Sequence, residues 1–203
     1  GNAAANFTAA GTITDINTAL DAATFTPTPD LFGSDVATIS FVTNDGDDNS
    51  NTAAVTFDIS PVNDDPTINI LPPAITIYED TESGLNFPVT ISDDAEDATV
   101  LVKIGVDIGS LSASSAGGVT VMGDESKELA LSGNLANINS YIGSPGKITY
   151  QPPLNLTGPG AAELTLIAND GGNTGTGGGE DVILGTVPIN IIAINDPPVV
   201  ENI

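Results

Sequence analysis

The sequence predicts an all-β protein built from tandem Greek-key β-sandwich repeats of about 130 residues. Three observations carry that prediction. Val62-Asn63-Asp64-Asp65-Pro66 returns as Ile194-Asn195-Asp196-Pro197-Pro198, an interval of 195 − 63 = 132 residues. The self-similarity extends upstream: residues 37–46 (ATISFVTNDG) match 162–171 (AELTLIANDG), Phe25 and Pro27 match Tyr150 and Pro152, Gly33 matches Gly158, and 11–17 (GTITDIN) match 133–139 (GNLANIN). Finally, short β-branched runs alternate with clusters of Gly, Pro, Asn, Asp and Ser at the spacing of a sandwich. Residues 1–62 therefore read as the C-terminal part of one repeat and 63–66 as an acidic linker. Residues 67–194 read as a complete repeat, and 195–203 as a second linker with the opening of a third.

In the complete repeat the pattern places strands near 67–70, 74–79, 85–92, 99–106, 118–122, 128–132, 146–151, 161–168 and 182–194. The plainest are 74–78 (AITIY), 86–91 (NFPVTI), 118–122 (GVTVM), 163–167 (ELTLI) and 187–192 (VPINII). Leu135, Ile138 and Ile142 fall at helical spacing within 133–142, which predicts one short helix. Residues 11–20 predict its counterpart in the partial first repeat. About three strands accompany that counterpart, too few to close a sandwich.

Strand direction then sets a geometry. If the first strand runs down to Glu79, the next returns upward to Ser92, and the strand ending at Ala168 also runs upward. Asp93, Asp94 and Asp97 then meet Asp170 and the entering linker, Asn63 and Asp64, at the top. Glu79 and Asp80 approach the exit linker, Asn195 and Asp196, at the bottom.

Composition narrows the chemistry. Against 27 acidic residues stand only Lys103, Lys127 and Lys147, a formal net charge of −24. Nothing could neutralise a run of phosphates, so nucleic acid is not an expected partner, and an anionic membrane surface is disfavoured alike. No run approaches the roughly 18 apolar residues of a membrane helix, so membrane insertion is not expected. Any targeting signal is expected outside this segment. The absence of Cys, His and Trp removes thiolate and imidazole ligands and the usual nucleophiles. Few aromatics remain to stack on a sugar, and no nucleophile elbow or phosphate loop is present, so an enzyme is not expected. The acids gather in short loop clusters, which suits a hard cation with oxygen ligands; solvated, solubilising turns are the plainer alternative. Asp45 to Asp48 partly match a helix–loop–helix calcium loop but lack its roughly 12-residue frame and terminal Glu.

The ordered motifs resemble bacterial cadherin-like repeats of large extracellular, RTX-type adhesins. The carriers are the Asn-Asp-x-Pro linkers, 77–81 (IYEDT), 91–94 (ISDD), 148–158 (ITYQPPLNLTG) and 169–172 (NDGG). The resemblance implies an immunoglobulin-like sandwich with calcium at the junctions between repeats. Asn63, Asp64, Asp93, Asp94, Asp97 and Asp170 would serve the upper junction; Glu79, Asp80, Asn195 and Asp196 would serve the lower. The linker here is shorter than that of cadherins proper, and the loop reads Asp93-Asp94-Ala95-Glu96-Asp97. The expected function is a calcium-stabilised extender of a long bacterial surface adhesin or extracellular fibre, outside the cell. The expected partners are neighbouring repeats of the same chain or adjacent filament subunits. Two alternatives stay open: a non-covalently assembled filament subunit with strand donation between subunits, and a spacer module in a large secreted enzyme.

Overall fold

A computed structural model describes residues 6, 8–94 and 98–198. Two compact units divide between Ser60 and Pro61.

The first unit contains helix α1 (Ile13–Asp21) and strands β1 (Gly33–Phe41) and β2 (Ala53–Ile59). Thr12 caps α1 by accepting from the Asp15 N–H, and the Asp15 carboxylate returns the bond to Thr12, a reciprocal capping box. β1 and β2 form an antiparallel pair with Ala37 opposite Phe57 and Phe41 opposite Ala53. Phe25 stacks on Phe57 at 5.2 Å between ring centroids. None of this unit's described residues is buried. Its described residues form two strands where about three were expected.

The second unit holds the core. Its strands are β3 (Thr67–Ile68), β4 (Ile75–Tyr78), β5 (Ser83–Gly84), β6 (Ile91–Ser92), β7 (Val100–Val106), β8 (Ser110–Ala113), β9 (Thr120–Met122), β10 (Glu128–Gly133), β11 (Ile148–Gln151), β12 (Gly158–Asn169) and β13 (Val182–Ile192). Helix α2 (Leu135–Ile142) joins β10 to β11. A six-stranded sheet runs β4-β13-β12-β7-β10-β9, a three-stranded sheet runs β5-β11-β8, and β3 pairs with β6. The inward residues of these layers form one cluster, including Val102, Ile104, Leu129, Leu131, Leu164, Leu166, Val187 and Ile189 from the large sheet. Leu111, Ile148 and Tyr150 contribute from the small one. β7 shows the cause in its simplest form, every second residue from Val100 to Val106 being buried. α2 buries Leu135, Ile138, Tyr141 and Ile142. The chain is an all-β sandwich with one connecting helix in its complete unit.

Two strand expectations need correction. The run 85–92 is extended, with Leu85, Phe87, Val89 and Ile91 buried in alternation, yet only Ile91–Ser92 joins a ladder. Pro88 offers no N–H there. Side chains take over the backbone groups instead: Asn69 accepts from Thr90 N (2.9 Å), and Asn139 both accepts from Ile91 N and donates to Ile91 O (each 2.9 Å). The second correction is β8, whose Ser-rich sequence reads as a loop. It pairs with β11 because Leu111 fills the core, opposite Tyr150.

Candidate functional site

The exit end is built by a parallel pair. β4 lies beside β13 with Ile75 opposite Ile189 and Tyr78 opposite Ile192, so both strands finish at the same end. Glu79 extends the ladder by donating its N–H to Ile192 O (3.0 Å). Its carboxylate then accepts from Ile194 N (2.8 Å), which fastens the exit linker to the body of the unit. Asp80 sits in the left-handed region (φ 55°), which Asp tolerates better than most residues, and accepts from Asn155 N at 2.7 Å. Carboxylate oxygens of Glu79, Asp80 and Asp196 lie within 4.8 Å of one another. Asn195 donates its side-chain amide to the Asp196 carbonyl (3.2 Å), holding the linker turn.

This cluster has an electrostatic difficulty. Glu79 is only 4% exposed, and two like charges stand against it. A buried carboxylate is costly unless paired. Among the described residues the one ion pair is Lys103 with Asp181, elsewhere on the molecule. The Lys127 ammonium donates to Asp107 O. Glu79 and Asp80 each give one oxygen to a backbone N–H and keep the other. Oxygens around a calcium ion at 2.3–2.6 Å stand at most about 5 Å apart, so the donor set and its spacing both fit one hard cation.

The entering end is arranged differently. Asn63, which is buried, donates its N–H to Thr176 O (3.2 Å), and its side-chain oxygen accepts from the Thr174 hydroxyl (2.9 Å). Its amide donates to Asp64 O (2.9 Å). Asn63 thereby clamps the linker onto the loop after β12. A Cβ at Gly178 would fall 2.0 Å from Asn63 Nδ2, and one at Gly175 would fall 2.5 Å from Pro61 O, so this approach requires glycine at both positions. Asp170 is 1% exposed; its Oδ1 accepts from Gly172 N (3.1 Å), and its Oδ2 is buried without a hydrogen-bond partner. Asn173 donates to Thr99 O (3.3 Å), which brings this loop beside the segment that follows the Asp93 loop. Asp93 is half-buried, Asp94 and Asp64 are exposed, and Asp97 lies outside the described residues. Among the described residues only the exit end gathers three carboxylates.

Sequence reasoning missed the group that pins the entering loop. Lys103 on β7 pairs with Asp181, which also accepts from Asn169 Nδ2 (3.1 Å), and Asn169 donates to Gly179 O (3.0 Å). The signal was a single lysine in a strand of an acidic chain.

Fold and site together define a β-sandwich unit with an acidic cluster where the chain leaves it. No protein-family model matches the chain, and no curated protein does. Two solved structures show a partial likeness. One is the surface layer protein SbsC, domains 1–6: 17% identity, 79% of this chain, 17% of that chain, TM-score 0.30. The other comprises domains 4 and 5 of the S-layer protein SbsC: 17% identity, 77% of this chain, 58% of that chain, TM-score 0.28. The chain thus spans under a fifth of the first and somewhat over half of the second. At this level the likeness carries no argument about function.

Proposed function

We propose that this chain is a structural, non-catalytic extender segment of a repeat array outside the cell, with junctions stiffened by calcium. The carrying observation is the exit cluster: Glu79, Asp80 and Asp196 place three carboxylates within 4.8 Å. Two of them belong to the body of the sandwich and one to the linker that leaves it. A divalent cation held by these residues supplies the missing positive charge and ties linker to body. Without it the carboxylates repel, and the linker keeps only the Glu79–Ile194 hydrogen bond and its main-chain contacts. The unpartnered Oδ2 of Asp170 supports a similar role at the entering end. The repeat interval and the resemblance to cadherin-like repeats support the reading of an array.

Calorimetric titration of the 203-residue chain with calcium tests this proposal, with scattering recorded in calcium and in chelator. Heat from at least one site, lost on Asp196→Asn, is the expected result, with a more extended particle in calcium. No calcium heat, or identical scattering curves, refutes the stiffening mechanism.

A further inference from the structure

The two units share an Asn-Asp-Gly turn, but the loops that follow differ in length and in what they hold. Residues 37–46 match 162–171 at an offset of 162 − 37 = 125, whereas the linkers match at 195 − 63 = 132. The second unit therefore carries 132 − 125 = 7 extra residues between that turn and its linker. In the first unit the short loop closes on itself. Ser50 N donates to Thr43 O (2.8 Å), and Asn44 Nδ2 donates to Asn49 Oδ1 (2.8 Å). In the second unit the longer loop, residues 171–181, reaches the linker at 61–63.

That reach is a short strand addition. Thr176 N donates to Pro61 O (3.2 Å), and Thr176 O accepts from Asn63 N (3.2 Å), with Val62 parallel to Thr176. The Asn63 side chain completes it. Its oxygen accepts from Thr174 Oγ1 (2.9 Å) and Thr174 N (3.4 Å), and its amide donates to Asp64 O (2.9 Å). Asn supplies both an acceptor and a donor here; Asp would lack the donor, and an apolar residue would lack both. The loop is also fixed without the linker. Gly172 N donates to Asp170 Oδ1 (3.1 Å), Asn169 Nδ2 donates to Gly179 O (3.0 Å), and Asp181 pairs with Lys103. With both ends tied, ordering the glycines between them costs less than in a free loop. The hold begins at Pro61, two residues after Ile59, the last paired residue of β2. Every group that makes it is a neutral amide, carbonyl or hydroxyl, so its strength follows neither pH nor a divalent cation.

We propose that loop 171–181 is a docking surface for residues 61–63, a latch of neutral hydrogen bonds that fastens the entering linker without a cation. The seven extra residues supply the latch, and Asn63 is its key. Both lone pairs of the Asn63 side-chain oxygen face Thr174 donors, so this residue acts as a fastener and not as a calcium ligand. The two linkers are then held by different chemistry: carboxylates at the exit, amides and hydroxyls at the entrance.

Amide exchange of the 203-residue chain, read residue by residue by NMR in calcium and in chelator, tests the latch. The Asn63 and Thr176 N–H groups should exchange at least about 30-fold slower than in an unstructured peptide, equally in both buffers. Asn63→Ala removes the key, and Gly178→Ala drives a Cβ against Asn63 Nδ2. Each should return both amides to within about 3-fold of the unstructured rate. Deleting residues 172–178 gives the loop the first unit's length and should free the residue 63 amide alike. Amides of β7 and β12 should stay protected in all three variants, which reports a folded core. Fast exchange at Asn63 and Thr176 in the wild-type chain overturns the proposal. So does protection confined to calcium, which would make a cation the fastener. Protection that survives all three variants overturns it as well. A chain that binds no calcium would still show the latch, so this proposal and the calcium reading fail separately.

Discussion

Glu79→Gln separates a cation site from a merely crowded acidic turn. The amide keeps the shape of the side chain and its acceptor for Ile194 N, and removes one charge from a cluster spanning 4.8 Å. Two carboxylates at that distance repel by about 3.5 kcal/mol at an effective dielectric of 20 and by about 0.9 kcal/mol in bulk water. Glu79 is buried and Asp196 exposed, so relief of about 1–2 kcal/mol is expected without calcium. With calcium at about 100 times its dissociation constant, binding to the folded state alone adds about 2.7 kcal/mol. For a unit the size of Pro61–Ile203, a melting entropy of about 2.1 cal/mol/K per residue makes each kcal/mol worth about 3 °C. The wild-type chain should therefore melt about 9 °C higher in millimolar calcium than in chelator. Glu79→Gln should raise the melting point in chelator by about 3–6 °C and cut the calcium increment to under about 3 °C. The two chains thus exchange order between the two buffers. Scanning calorimetry of the second unit's transition reads this directly. An unchanged calcium increment in the variant, or none in the wild type, refutes the argument.

Other consequences are independent of the cation. Burial holds the Tyr150 phenol, which donates to Ile108 O at 2.9 Å, up to about 12 from its ordinary 10.0. Its contribution is complete below pH 10 and is lost as pH rises through about 12, so denaturant titrations should show stability falling by up to about 3 kcal/mol over that window, a slope that Tyr150→Phe removes. Leu131→Ala, at a position 0% exposed, should cost the second unit about 2–5 kcal/mol by chemical denaturation, whereas Leu20→Ala, 36% exposed on α1, should leave that transition within about 0.5 kcal/mol. Lys103→Ala should leave the denaturation midpoint of the second unit nearly unchanged because the Asp181 pair is at the surface, yet hydrogen exchange in 170–181 should quicken as the loop loses its pin.

Much of the fold was legible because its signals are local. Alternation over Val100–Val106 reports a strand against a core wherever it occurs, and the 3,4 spacing of Leu135, Ile138 and Ile142 reports a helix. The repeat interval set residues 11–62 against 133–194. β8 escaped because Ser-Leu-Ser-Ala has one buried side chain, Leu111, and its pairing comes entirely from β11. The run 85–92 misled in the opposite sense: its pattern is that of a strand, but Pro88 offers no N–H, and the side chains of Asn69 and Asn139 bond Thr90 and Ile91.

By itself the sequence determined the residue types at each acidic turn, the period that repeats them, and the deficit of cationic side chains. Those are properties of composition and order along the chain, and no folding is needed to read them. Strand order placed Glu79 and Asp80 at the end where Asp196 leaves, but only the tertiary structure decided how closely these acids meet and how deeply they are buried. Glu79 and Asp196 stand 117 positions apart (196 − 79 = 117), and they converge because β4 runs parallel to β13 in a fixed register. A one-residue slip in that register would turn every side chain of β4 to the other face. Burial of Glu79 and of Asp170 has the same origin, since a carboxylate's surroundings are set by strands brought against it from elsewhere in the chain.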